Sequence, residues 1–201
     1  VEEAMKNALP YFSRIKNTST HWCLMSMLRE LYGFNYDEVN EENWKGLMEA
    51  IHRGTQRKDR YKWILTEKAK IKRTFLTFRY EEEIPQYDPE LFVGALRLDP
   101  LISQLKKDSV QNLEKATDTS IASIDEFVDS LSLLFKKFSG CVAATVSFQP
   151  EDTFTRLDKP GVEKPFKKLL NESHLTPKER QMLTSYALYQ ILGLAQKSGL
   201  V

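Results

Sequence analysis

Cys141-Val142-Ala143-Ala144-Thr145-Val146-Ser147-Phe148 is the stretch on which the fold turns. It is a nearly continuous apolar run without the polar alternation of a half-exposed strand, and it reads as a strand buried on both faces, as in a parallel sheet. Just before it, Ser123-Ile124-Asp125-Glu126 has the form of a capping box. Ile124, Phe127, Val128, Leu131, Leu134 and Phe135 then recur at helical spacing, and the helix ends near Gly140. Beyond the strand, Thr176-Pro177-Lys178-Glu179 supplies a cap, a proline at the first helical position and a glutamate at the third, opening a helix to Lys197. Upstream, Ile71 to Phe78 and Leu91 to Leu96 are shorter β-prone runs, and Asp99-Pro100 is a helix start. The order is that of an α/β protein. Only Tyr80 to Glu90 separates the first two strands, too short a span for a crossover helix, so either a loop makes the crossover or these strands pair antiparallel.

Farther out, residues 1–70 form a helical N-terminal segment and residues 71–201 a series of βα units, together one structural domain. Met5, Ala8, Leu9 and Phe12 suit a first helix within Glu2 to Lys16, with Pro10 a kink or boundary. Ser19 or Thr20 can cap a second helix carrying Trp22, Leu24, Met25, Leu28 and Leu31 and ending at Gly33. Asn40-Glu41-Glu42 opens a third, with Trp44, Leu47, Met48 and Ile51, and another surrounds Trp63 and Leu65. Thr117 to Ser120 and Gln149 to Pro160 are polar loops. The chain begins at Val1 in helical sequence and stops at Ser198-Gly199-Leu200-Val201, a helix C-cap followed by two strand-forming residues, so it is expected to be part of a longer protein.

Across 201 residues, 29 Lys and Arg balance 28 Asp and Glu, for a net charge of +1, which removes the usual electrostatic case for a nucleic-acid or anionic-membrane partner. A hydrophobic fraction of 41% is enough for a sizeable core. The longest uncharged runs, Gln181 to Gln196 and Phe138 to Pro150, are too short or too mixed to span a bilayer. Cys23 and Cys141 each lie in an apolar stretch, so two buried reduced thiols and a cytoplasmic location are expected.

The chemistry available is limited. Three His, at positions 21, 52 and 174, form no metal-binding motif, and there is no phosphate loop, dinucleotide fingerprint or nucleophile elbow. What stands out is polar residues at the C-terminal ends of the strands, where α/β proteins collect their functional groups: Arg79 after the first, Arg97 and Asp99 after the second, Thr145 and Ser147 on the third, with Arg156 in the loop beyond. Taken singly, Arg79 and Arg97 could simply pair with Glu81 to Glu83 and with Asp99. Two arginines at successive strand ends make an anion site, because a guanidinium fork binds carboxylate or phosphate through two parallel hydrogen bonds.

Thr20-His21-Trp22, the helical stretch through Trp44, Tyr61-Lys62-Trp63-Ile64-Leu65 leading into Lys70-Ile71-Lys72-Arg73, Leu96-Arg97-Leu98-Asp99, and Gly140-Cys141-Val142-Ala143 followed by Phe154-Thr155-Arg156 occur in an order that resembles the uronate isomerase-like branch of the amidohydrolase superfamily. The resemblance implies a partial (β/α)8 TIM barrel with a helical N-terminal insertion. It also implies a metal-dependent sugar-acid isomerase or hydrolase, with a noncatalytic scaffold that keeps the framework as the alternative. It maps substrate-binding roles onto Arg97, Asp99, His21 and Trp22, and more loosely onto Arg156, with Arg79 added from its strand-end position. None of the family's His ligands has a counterpart here, and Thr145 falls where some relatives carry a strand-four Lys. A divalent metal, zinc in the first instance, is therefore expected only in the intact protein and none in this chain alone. The implied partners are a small acidic substrate such as a sugar acid, the remainder of the barrel and a second copy of the chain, with no nucleic acid and no membrane.

Overall fold

The computed structural model describes residues 2–148, 150 and 152–200. The chain divides into two compact units, Val1–Lys72 and Arg73–Val201. The first contains α1 (Glu2–Phe12), α2 (Ser19–Tyr32), α3 (Trp44–Thr55) and α4 (Arg60–Lys62), which continues as a π-helical turn over Trp63–Lys68. Leu9, Met25, Leu28, Phe34, Val39, Trp44 and Leu47 form its core. α1 passes through Pro10 without stopping. Thr18, rather than Ser19 or Thr20, caps α2, its hydroxyl accepting from the His21 N–H at 3.2 Å. Gly33, at a φ of 68°, closes the same helix in the left-handed conformation that glycine tolerates best. Cys23 is exposed, against expectation. Two residues along a helix from Met25, which is buried, it points to a different side.

The second unit contains β1 (Thr74–Arg79), β2 (Phe92–Arg97), α5 (Lys107–Thr117), α6 (Ile124–Lys137), β3 (Cys141–Thr145), α7 (Lys159–Leu170) and α8 (Pro177–Lys197). Its strands form one parallel sheet in the order β1-β2-β3, so the segment between β1 and β2 crosses over as a loop. The fold is thus mixed α/β. Leu76, Phe78, Leu96, Cys141 and Ala144 join one core with Leu113 of α5, Phe127 and Leu131 of α6, Phe166 of α7 and Leu183 and Ile191 of α8. Alternation along β1 leaves Phe75, Thr77 and Arg79 exposed. Gly94 is required where β2 meets its neighbours, since a Cβ there would lie 2.8 Å from the Phe78 ring and 3.0 Å from the Cys141 sulfur.

Both capping boxes form, at Ser123 with Glu126 and at Thr176 with Glu179. Other expectations need correction. Asp99-Pro100 opens only a 3₁₀ turn, Asp99–Leu101, and the helix in this region is α5. β3 stops at Thr145, which frees Ser147 and Phe148 from the ladder. The polar segment after it gives way to α7 at Lys159, with Gln149 and Glu151 outside the described residues. Leu200 is irregular, and Val1 and Val201, the proposed helix opening and strand beginning, lie outside the described residues. Among those described, no helix is long and apolar enough to cross a membrane.

Candidate functional site

Parallel pairing sets Arg79 beside Arg97 and Arg97 beside Thr145, a single row at the C-terminal end of the sheet. Two residues past Arg97, Asp99 is 2% exposed. Its Oδ2 accepts from Arg97 Nε at 2.8 Å and its Oδ1 from the Ser147 backbone N–H at 2.8 Å. Burial alone would raise the Asp99 pKa, but hydrogen bonds from Arg97 and Ser147 and the nearby guanidinium charge outweigh it and hold the carboxyl below its ordinary value. It is a fixed carboxylate that braces Arg97. The pair is joined through one nitrogen only, because Ser147, released just beyond β3, occupies the second oxygen. The Arg97 side chain is 53% exposed, and among the described residues nothing else engages it, so both terminal nitrogens remain for a ligand.

Arg97, Asp99 and Ser147 line a cleft of about 690 Å³, within the size range of small-molecule sites. Ser103 and Gln104, from the segment after the 3₁₀ turn, Asp152, Thr153 and Phe154 from the loop after β3, His174 and Leu175 just before α8, and Pro177, Arg180, Gln181 and Thr184 of α8 complete its walls. The first turn of α8 is held firmly. Glu179 accepts from Lys168 at 2.6 Å and closes the capping box, while Gln181 Nε2 donates to the Thr153 carbonyl at 3.1 Å and the Thr184 hydroxyl to that of Ile102 at 3.3 Å.

The residues singled out from the sequence are distributed unevenly. Arg97 and Asp99 stand together on the cleft. Arg79 is committed to Glu81, Nη2 to Oε1 at 2.6 Å, so Glu81 is half-buried and paired rather than solvated. This pair borders a smaller hollow that also touches Arg97 and Asp99. Arg156 is exposed on the loop before α7 and does not line the cleft. His21 and Trp22 belong to the first unit: Trp22 is 70% exposed, and His21 is buried, its Nε2 without a hydrogen-bond partner among the described residues. Ser147 stands where the strand-end reading put it, whereas Gln104, His174, Arg180, Gln181 and Thr184 were missed. The only sequence signal near them is the capping box at Thr176, which marks where α8 begins but not what it approaches.

Among the described residues, no three His, Cys, Asp or Glu are grouped to hold a metal ion. Asp99, the buried carboxylate of the cleft, has both oxygens in use. The described residues therefore do not fit a divalent metal.

No protein-family model matches the chain. A uronate isomerase of Caldanaerobacter subterraneus subsp. tengcongensis is 25% identical over 202 residues, covering 91% of this chain. The chain spans only 41% of that relative's length. Among solved structures, the uronate isomerase of Thermotoga maritima superposes with a TM-score of 0.81 at 14% identity, over 94% of this chain and 44% of that one. The glucuronate isomerase of Caulobacter crescentus gives 0.76 at 14% identity, over 93% and 41%. Over most of its length the chain is similar in sequence to a uronate isomerase, and in fold to part of two solved sugar-acid isomerases.

Proposed function

We propose that this chain forms part of a sugar-acid isomerase and that its contribution is to bind the acid end of the substrate. The observation that carries the reading is the brace on Arg97: a buried aspartate, fixed by a backbone N–H, holds one guanidinium nitrogen and leaves the other two facing a cleft of metabolite size. Such a fork meets a carboxylate in plane with two charge-assisted hydrogen bonds. Asp99 acts here as a positioning residue, setting the plane of the guanidinium. The neutral polar groups of Gln104, Ser147, Thr153 and Gln181 are suited to the hydroxyls of a sugar chain. The similarity to a uronate isomerase supports the same reading, which extends to a partial TIM barrel of the amidohydrolase superfamily. Any divalent metal of the whole protein would then take its ligands from outside this chain, and no step is assigned to it.

The test is calorimetric titration of the 201-residue chain with D-glucuronate and with D-glucose. The expected result is saturable binding of the acid, weakened by salt, and no measurable binding of the neutral sugar. Equal behaviour of the two sugars would overturn the reading.

A further inference from the structure

The first unit holds a separate hollow of about 350 Å³, in the lower part of the size range of small-molecule sites. Leu31 and Tyr32 at the end of α2, Ala50, Arg53 and Gly54 of α3, and Arg57 and Trp63 from the segment beyond line it: two arginines and two aromatic rings, with no acid among them. Gly54 lets the wall close up, since a Cβ there would lie 3.0 Å from the Tyr32 ring and 3.2 Å from Arg60 Nη1. Trp63 opens the π-helical turn, a rare geometry that recurs at functional sites.

Positive charge around this hollow is under-compensated. From Arg53 to Lys72 the chain carries eight Lys and Arg against two acids, Asp59 and Glu67. Arg53 reaches only Glu49, at 3.9 Å, beyond hydrogen-bond distance. Arg57, 4.7 Å from the centre of the Trp63 ring, gives Nε and Nη2 to Asp59 at 2.7 and 3.1 Å, and its Nη1 has no hydrogen-bond partner among the described residues. Arg60, whose guanidinium lies 5.0 Å from the centre of the Tyr32 ring, donates Nη2 to the Tyr32 hydroxyl. Its Nη1 is buried and unpartnered, and no carboxylate among the described residues pairs with it. A buried guanidinium nitrogen is ordinarily hydrogen-bonded and its charge balanced by an anion.

We propose that this hollow binds a small ligand carrying a phosphate beside a flat ring, the chemistry of a nucleoside monophosphate, with the phosphate on Arg53 and Arg57 and the ring against Tyr32 and Trp63. The two guanidinium groups suit phosphate oxygens, and Arg60 adds its unpaired charge from within the wall. The half-buried rings, with Leu31 and Ala50, give the apolar lining that a ring covers. The hollow shares no residue with the cleft at Arg97, so the two sites stand or fall separately.

The experiment titrates the 201-residue chain with AMP, ribose 5-phosphate and adenosine. AMP should bind saturably, more weakly in salt, and about tenfold more tightly than either of the other two, the ring contributing on the scale of one base stacked on an aromatic side chain and the phosphate on that of one charge-assisted hydrogen bond. Arg53→Gln should weaken AMP and ribose 5-phosphate alike by about fivefold or more and leave adenosine within about twofold. Lys45→Gln, the same charge change on α3 outside the lining, should leave AMP affinity unchanged, as should Arg97→Lys. Absence of AMP binding, equal affinity for AMP and either of the other two probes, or AMP affinity that is insensitive to Arg53→Gln or falls with Arg97→Lys would overturn the proposal. None of these results bears on glucuronate binding at Arg97.

Discussion

Replacing Asp99 with Asn keeps the shape of the side chain at the centre of the site and removes its charge. Asp99 is buried and serves two donors with two oxygens, Arg97 Nε and the Ser147 N–H, each at 2.8 Å. An asparagine has one oxygen. Whichever donor it satisfies, its NH₂ is turned toward the other, and a donor faces a donor. Loss of a hydrogen bond to a charged partner costs about 1.5–3 kcal/mol, and a poorly satisfied N–H about 1–3 kcal/mol more. The half-exposed Arg97 recovers part of this from water, so the expected loss is about 2–4 kcal/mol at neutral pH. The pH dependence follows from the lowered pKa of Asp99. A carboxyl whose folded pKa lies below its unfolded one contributes stability that is fully present above the ordinary value of 3.8 and is lost as the pH falls through the lower folded value. The gap between wild type and Asp99→Asn in urea unfolding should therefore be full at neutral pH and close only in strong acid. A gap below about 0.5 kcal/mol, the size of an ordinary surface change, or one that does not respond to acid, would refute the reasoning.

Gly94→Ala should destabilise the chain by about 1–3 kcal/mol, the usual cost of overpacking, in the same urea assay, because the new Cβ would press on the Phe78 ring and the Cys141 sulfur. Glu179 is held down to about 2, first by the hydrogen bond from Lys168 and then by those from Thr176. Its contribution to the start of α8 is thus present above the ordinary 4.5 and lost only as the pH falls toward about 2, and an NMR titration showing it to ionise near its ordinary value would contradict this. Elemental analysis of the purified 201-residue chain should find no stoichiometric zinc, and one tightly held zinc per chain would contradict the assignment of metal ligands to sequence outside it.

The parts of the fold that could be read from the sequence are those where a local rule and the tertiary demand coincide. The apolar run at Cys141, the capping boxes at Ser123 and Thr176 and the glycine at position 33 each state their conformation within a few residues. α5 was expected too early, from Asp99-Pro100, because its own buried apolar positions reduce to Val110 and Leu113, too sparse to show a period. α7 was missed because Pro160, Gly161 and Pro165 look like breakers, yet the first proline sits in the opening turn, where its missing N–H has no helical partner to lose. Strand direction was not legible either, since a short loop between strands ordinarily signals a hairpin. At the site, Arg97 and Asp99 could be found because two residues on one strand end share a side of the sheet. Arg180, Gln181 and Thr184 could not, because they reach the cleft only through packing of α8 on the sheet, more than eighty residues along the chain from Arg97.

The central claim, that Arg97 holds the acid group of a sugar acid, is tested most directly by measuring glucuronate affinity and melting temperature on one variant, Arg97→Lys. Lysine keeps the charge and discards the planar fork. If Arg97 is the acid-binding group, affinity falls by about 1–3 kcal/mol, roughly fivefold to 150-fold, while Tm falls by only a few degrees because the lysine ammonium still donates to Asp99. If Arg97 and Asp99 are only a structural lock at the end of β2, Tm falls and affinity for glucuronate does not change.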